Sequence, residues 1–133
     1  MRKWIFGLAL ATAMTSAAWA QSTEVESTIN SQIEAFQADN FTQAFEFASP
    51  AIQGIFGTPQ NFGRMVTQGF PMVWRPAHVT YLELREINGA LHQKVQITDA
   101  DGRVHLLDYR MIETDTGWKI NGVQLLESAD LNA

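Results

Sequence analysis

The sequence predicts an α+β domain in which N-terminal helices pack on an antiparallel sheet, and three observations support this class. Apolar residues recur at helical spacing before residue 70 and alternate at a period of two after it. A hydroxyl residue followed by proline marks two helix starts. Glycine-containing turns separate the later apolar stretches. We therefore expect helices within residues 22–70 and strands within residues 72–126.

The first twenty residues have the pattern of an export signal. Arg2 and Lys3 precede an apolar run that ends at the small residues Ala18 and Ala20. The run of about 11 residues is shorter than the roughly 20 needed to cross a bilayer. We therefore predict a signal peptide over residues 1–20, cleavage near Ala20, and one domain over residues 21–133 that is periplasmic or secreted. No membrane anchor is expected after cleavage.

Composition restricts the partners and cofactors that this chain can use. Loss of Arg2 and Lys3 would leave 7 basic residues against 14 acidic ones, a net charge of −7. This balance argues against nucleic-acid binding, which requires basic surface. The chain has no cysteine, which excludes thiol nucleophiles, Cys-ligated metals and disulfides. Since His78, His92 and His105 lack metal-binding spacing, no metal or other cofactor is expected.

The helical half is predicted to contain one long helix followed by shorter ones. Apolar residues at spacings of four, four and three indicate a buried face on the first helix: Val25, Ile29, Ile33 and Phe36. Thr23 and Glu26 have the spacing of a capping box at its start. Ser49-Pro50 and Thr58-Pro59 predict the starts of two further helices.

The second half is predicted to contain a short strand at Met72–Trp74 and four longer antiparallel strands. Asn88-Gly89 is a two-residue hairpin signal. A second turn is predicted at Asp99–Gly102 and a third at Thr114–Gly117. These turns fix the register of the strands, and the register decides which side chains share a face.

The predicted register gives the sheet a polar outer face and an apolar inner face. Outside, Glu83, Lys94 and Asp108 form a row of alternating charge. Inside, Leu82 lies opposite Val95, and one row places Tyr109 between Gln93 and Gly122. The candidate ligand-binding residues on the inner face are Leu84, Gln93, Leu107, Tyr109, Met111, Trp118 and Gly122.

A glycine opposite a tyrosine would leave unfilled space in the inner face. The phenol of Tyr109 and the amide of Gln93 would place hydrogen-bonding groups in an apolar wall, which is how small-ligand pockets are composed. The alternative is that Gln93 and Tyr109 satisfy each other in a packed core and Gly122 marks a bulge. The sequence leaves both interpretations open.

Three segments, "FASPAIQGIFGTPQNFGRMV", "VWRP" and "WKINGV", resemble a family of small exported bacterial proteins described only as a domain of unknown function. Helices followed by strands ending in "GWKINGV" also resemble the cone-shaped fold of ketosteroid isomerase and nuclear transport factor two. This resemblance implies a strongly curved sheet with a concave face. Isomerases of that fold use a carboxylate base with a tyrosine and a protonated acid. The first helix here lacks the tyrosine, and Glu83 and Asp108 are predicted to face outward, so no catalytic residue is carried over.

These observations favour a domain that binds a small apolar or lipid-like ligand in the concave face without catalysis. The first alternative is a hydrolase or isomerase that uses Tyr109 with a nearby carboxylate. The second is a structural or interaction protein, active as a homodimer through its outer sheet face. That face is predicted to include Arg85, His92 and Arg110.

Overall fold

The computed structural model describes the backbone of residues 2–126 and the side chains of residues 18–126. The helices in this part of the chain are α1 (Arg2–Gln37), α2 (Phe41–Glu46), α3 (Pro50–Phe56), α4 (Pro59–Gly69) and α5 (Pro71–Trp74). The strands are β1 (Pro76–Ile87), β2 (Ala90–Asp99), β3 (Val104–Thr114) and β4 (Gly117–Leu125). The helices pack on one face of an antiparallel sheet in the order β1-β2-β3-β4, which confirms the predicted α+β class.

Helix α1 provides the long buried face that the sequence predicts. Its apolar stripe is at most 2% exposed at every position: Val25, Ile29, Ile33 and Phe36. The predicted capping box is wrong for the full chain, because α1 is continuous from Arg2 and Thr23 lies inside it. Backbone carbonyls of the preceding turn accept from the amides near Thr23, and these amides therefore need no side-chain cap. The predicted cleavage site after Ala20 therefore falls within this continuous helix.

The C-terminal end of α1 is closed by bonds from a distant segment. Asp39 takes a positive φ of 56°, and the amide of Asn40 turns back to the Ala35 carbonyl at 2.8 Å. Arg75 donates to both carboxylate oxygens of Asp39 at 3.0 and 3.2 Å, and Trp74 Nε1 donates to Asp39 at 2.9 Å. These bonds tie α1 to the segment that enters the sheet.

Two short helices begin where hydroxyl-proline pairs predict them. Ser49 Oγ accepts from the amide of Ile52 at 3.2 Å, and Thr58 Oγ1 accepts from the amide of Asn61 at 3.1 Å. Pro50 and Pro59 occupy the first turns of α3 and α4. The missing amide of proline is no loss there, because amides in a first turn have no partner within the helix.

The predicted short strand at Met72–Trp74 is wrong, because these residues belong to α5. Pro71 begins this single turn, since its fixed φ suits the first position of a helix. The amide of Arg75 donates to the Pro71 carbonyl at 3.0 Å and closes the turn. Met72 and Val73 are thereby buried in the core.

The three hairpin turns lie where the sequence predicts them. Asn88 and Gly89 have φ values of 51° and 83°, as a two-residue hairpin requires, and Ile87 pairs with Ala90. Asp99 Oδ1 accepts from the amides of Asp101 and Arg103 at 2.9 and 3.0 Å, which orders the second turn. The pairing of β2 with β3 follows the predicted register.

A bulge in β1 shifts the predicted pairing of the residues that precede it. Leu84 lies opposite Gln93 as predicted, but Tyr81 takes the place opposite Val95 that the sequence predicts for Leu82. Gln93 Nε2 donates to the Leu82 carbonyl at 3.0 Å and stabilises the irregular backbone. Tyr81 therefore packs against the core, and Leu82 is exposed.

The edge of β4 is covered by the segment that leads into α3. The amide of Ile120 donates to the Phe47 carbonyl and the amide of Ser49 donates to the Ile120 carbonyl, both at 2.8 Å. Ala48 forms a parallel bridge with Ile120. This pairing satisfies edge groups of β4 and fixes the start of α3 over the sheet.

Candidate ligand-binding cavity

A partly open cavity of about 270 Å³ lies between the helices and the β3–β4 side of the sheet. Its lining is apolar except for the side chains of Gln32 and Tyr109. The deep wall consists of buried residues, and the half-buried apolar rim is formed by Ile52, Phe56, Met65, Phe70 and Val123. An enclosed apolar surface with few polar groups is typical of small-molecule sites.

Aromatic rings form a firm side wall of this cavity. Phe62 of α4 is 5% exposed, and its ring centroid lies 5.4 to 5.8 Å from those of Phe36, Phe45 and Phe56. Gly63 follows it, and a Cβ at this position would lie 2.7 Å from the Phe41 ring. The glycine therefore permits close packing between α4 and α2, which sets the position of the wall.

Helix α3 forms a thin outer wall, since none of its residues is fully buried. Ile52 and Phe56 line the cavity, whereas Ile55 is 72% exposed. The helix is held at its start, where Ser49 Oγ donates to Asn121 Oδ1 at 2.7 Å. Gln53 Nε2 also donates to the Phe45 carbonyl at 2.9 Å. The wall is thus anchored by polar bonds and not by a deep apolar face.

The two polar side chains of the lining differ in how they are satisfied. Gln32 is 3% exposed, and its Nε2 donates to the Ala44 carbonyl at 3.1 Å. Tyr109 is fully buried, and its hydroxyl has no hydrogen-bond partner in the described part of the chain. Burial, and secondarily the neighbouring Tyr81, raises the pKa of Tyr109. The Tyr109 phenol is therefore neutral at physiological pH.

Two of the seven predicted site residues line the cavity, namely Tyr109 and Gly122. The other five lie outside its lining: Leu84, Gln93, Leu107, Met111 and Trp118. The cavity follows α3, which contacts the sheet at β4, whereas the predicted row extends toward β1 and β2. The predicted register identifies the inner face of the sheet, but it does not reveal where the short helices cross that face.

The predicted pairing of Gly122 with Tyr109 is wrong. A register shift near Asn121 places Val123 opposite Tyr109 and Gly122 opposite Arg110. Asn121 is held in the irregular segment by its bond to Ser49, beside the point where the covering segment pairs with Ile120. The interpretation of Gly122 as the mark of a bulge is therefore the correct one.

Gly122 makes room on the outer face and not on the inner one. A Cβ at Gly122 would lie 3.6 Å from Nη2 of Arg110. The Arg110 guanidinium thus extends over the glycine, and its Nη2 donates to the Asn121 carbonyl at 3.4 Å. Only the backbone of Gly122 is left to line the cavity.

Next to Tyr109, the inner face carries two more polar side chains with unused hydrogen-bonding capacity. Gln93 Nε2 donates to the carbonyls of Leu82 and Lys94, while its Oε1 has no partner among the described residues. The same is true of the Tyr81 hydroxyl. Burial and nearby Glu26 raise the pKa of Tyr81 to about 12. Gln93 and Tyr109 therefore do not satisfy each other, although they are neighbours.

The outer face carries ion pairs that modify the predicted charge row. Lys94 Nζ lies 3.1 Å from Glu83 Oε1, as the register predicts. Asp108 instead pairs with Arg85, and His92 Nδ1 lies 3.5 Å from the other Asp108 oxygen. These contacts neutralise much of the charge that the sequence places on this face.

Within residues 18–126, no cluster of three or more metal-ligating side chains occurs, and no carboxylate is buried. His105 Nε2 lies 2.9 Å from Asp99 Oδ2 in the second hairpin.

None of the described helices is long and apolar enough to cross a membrane. Ser49 caps α3, so its hydroxyl already has a structural role.

Gln32 and the lining residues of α3 and α4 are the parts of the cavity that sequence reasoning did not find. Gln32 lies three residues after Ile29 on the buried stripe of α1, and a glutamine at such a position is the signal that identifies it. The contribution of Phe70 had no comparable signal, because it depends on how α4 turns into α5.

The fold and cavity define a small α+β domain with a partly open apolar cavity. A family model described as "Domain of unknown function (DUF4864)" matches residues 18–133, and the chain belongs to this family. No curated protein and no solved structure matched the chain.

Proposed function

We propose that this protein binds a small apolar or lipid-like molecule in the cavity between α3, α4 and the inner face of the sheet. The observation that carries the proposal is the cavity of about 270 Å³ with a nearly uniform apolar lining. A ligand that fills it would remove apolar surface from water, which is the main source of affinity for such molecules.

The size of the cavity limits the ligand. An apolar cavity of about 150 Å³ accommodates benzene, and this cavity of about 270 Å³ has room for roughly two such rings or a short acyl chain. Pockets for drug-sized ligands span about 300–1,000 Å³. A phospholipid with two long acyl chains would not fit inside.

The buried phenol of Tyr109 is the group that we assign to orienting the ligand. Its hydroxyl is neutral, dehydrated and without a partner in the described structure, so a carbonyl or hydroxyl oxygen on the ligand would gain a full hydrogen bond. The lining contains no charged side chain. An ionic group inside the cavity would therefore be strongly disfavoured.

Export is part of the proposed function. The charged start, apolar run and small residues before Gln21 support it. Of the side chains described near the predicted cleavage site, those of Ala18, Trp19 and Ala20 are all exposed. Removal of these three residues would take no side chain from the core.

The experiment is a fluorescence titration with N-phenyl-1-naphthylamine, which brightens in apolar surroundings. Its two-ring naphthyl group matches the volume of the cavity, and its phenyl ring can project through the open side. We expect saturable binding by the native protein and at least a tenfold loss in Val66→Phe, which fills the cavity from α4. Val104→Phe adds the same volume at an exposed position on β3 and should bind normally. Equal affinities for both variants, or no saturable binding, would contradict the proposal.

Native mass spectrometry of protein from its own host complements the titration. We expect a co-purifying molecule that native protein retains and Val66→Phe loses. A clean apo mass together with no probe binding would leave the cavity without a ligand-binding role.

A further inference from the structure

Charge is distributed unevenly over this acidic protein. The chain carries 14 acidic residues, yet no aspartate or glutamate occurs from Phe47 to Leu82. This segment includes α3 and α4, which form the outer wall and rim of the cavity. Its only lysine or arginine residues are Arg64 and Arg75, and Arg75 is paired with Asp39.

The exposed surface of α3 and α4 is correspondingly almost uncharged. Apart from Arg64, the exposed residues of these helices are Pro50, Ala51, Gly54, Ile55, Gln60, Asn61, Gln68 and Gly69. Arg64 donates to Asn61 at 3.1 Å and has no carboxylate partner in the described part of the chain. A lipid bilayer in contact with α3 and α4 would therefore meet no carboxylate, which anionic lipid would repel. It would also meet no cluster of strongly hydrated charges.

Ile55 projects from this surface next to two residues that line the cavity. It is 72% exposed, whereas its helix neighbours Ile52 and Phe56 line the cavity. Residues three apart on a helix are adjacent, so Ile55 extends the apolar rim outward. Met65 and Phe70 belong to the same half-buried apolar rim.

We infer that the α3–α4 surface docks transiently on a lipid bilayer, with Ile55 inserted at the interface and the cavity opening toward the membrane. Apolar side chains without a polybasic patch produce weak, reversible membrane association. An anionic bilayer would repel the acidic remainder of the chain. This repulsion would turn that part away from the membrane and leave the α3–α4 surface facing it. This inference rests on the proposed function, because it explains how a poorly soluble ligand reaches the cavity.

The absence of native cysteine allows a direct test with single-cysteine variants of the full chain. Ile55→Cys and Ile112→Cys are each labelled with the environment-sensitive dye NBD and mixed with vesicles of phosphatidylcholine containing phosphatidylglycerol. Ile112 is the control because it is 41% exposed on β3, away from the cavity lining. Both variants retain residues 1–20, so any vesicle binding through that segment is common to them.

We expect NBD fluorescence at position 55 to rise severalfold and to be quenched by nitroxide-labelled lipid, while position 112 remains in water. An unchanged signal at position 55, or equal changes at both positions, would overturn the inference. N-phenyl-1-naphthylamine binding from water tests the proposed function separately. Probe binding with position 55 in water would reject docking alone, and insertion of position 55 without probe binding would reject the cavity function alone.

Discussion

At the scale of single residues, the most informative side chain is one whose hydrogen bond is missing. The hydroxyl of Tyr109 is dehydrated by the fold without receiving a partner from the described residues. A buried polar group in this condition destabilises the folded state by about 1–3 kcal/mol. Retention of such a group is explained if a bound molecule satisfies it.

We expect Tyr109→Phe to preserve the free energy of unfolding or to raise it by about 1 kcal/mol, because the change removes an unsatisfied hydroxyl. The same variant should bind ligands that carry a carbonyl or hydroxyl group several-fold more weakly. Urea denaturation and ligand titration measure the two effects. Tyr81→Phe is the matched control, since the Tyr81 hydroxyl also has no partner among the described residues but Tyr81 does not line the cavity. Unchanged affinity in Tyr109→Phe would remove the orienting role.

Residue types alone predicted part of the site. Tyr109 was identifiable because the two-residue turn at Asn88-Gly89 and the turn at Asp99 fix its register against β2. The sequence predicts the wrong neighbour for Gly122, because the shift at Asn121 depends on a bond to Ser49, which is 72 residues distant. Local patterns carry no information about such a long-range contact.

At the scale of elements, two helical glycines have opposite surroundings. A Cβ on Gly63 would collide with the Phe41 ring, while a Cβ on Gly54 would meet nothing within 4 Å. We expect Gly63→Ala to lower the free energy of unfolding by about 1–3 kcal/mol through overpacking. Gly54→Ala should raise it by about 0.5–1 kcal/mol through helix propensity. Denaturation of the two variants checks the contrast, and similar effects would show that α2 and α4 are not packed as described.

The end of α1 should make stability depend on pH. The hydrogen bond from Trp74, followed by that from Arg75, lowers the pKa of Asp39. A carboxylate with a lowered folded-state pKa stabilises the fold above its unfolded value of about 3.9, and this contribution is lost as the pH falls through the folded value. Asp39→Asn should therefore lower Tm at pH 7, with the difference from native protein closing in acid.

Asn is a suitable replacement at position 39 because it tolerates the positive φ found there. Asp115→Asn is the control, since Asp115 is exposed in the third turn and forms no ion pair with the described residues. A difference in Tm that persists unchanged at low pH would assign the effect to shape and not to charge.

The elements themselves were largely predictable. Ser49-Pro50 and Thr58-Pro59 locate two helix starts because their side chains act within a single turn. The predicted strand at Met72–Trp74 is wrong because three apolar residues fit either period. Burial of Met72 and Val73 under α1 favours the helical turn. Short apolar runs depend on tertiary packing in this way.

At the scale of the whole molecule, the predicted signal peptide should be dispensable for the fold. Protein isolated from its host should begin at Gln21, as an intact mass would report. The shortened chain should unfold at the same urea concentration as the full chain, because residues 18–20 are exposed. Thr23 and Glu26 would then lie near a new helix start and could form the capping box that the full chain lacks. A large loss of stability would contradict this prediction.

The segment Phe47–Ser49 links the edge of the sheet to the outer wall of the cavity. It pairs with the edge of β4, and it also anchors the first turn of α3. Detachment of α3 to admit a ligand would therefore expose a strand edge able to pair with another chain. Entry by rotation of rim side chains such as Phe56 and Met65 avoids that exposure. Under the proposed function, the protein would therefore exchange its ligand without exposing an edge that favours self-association.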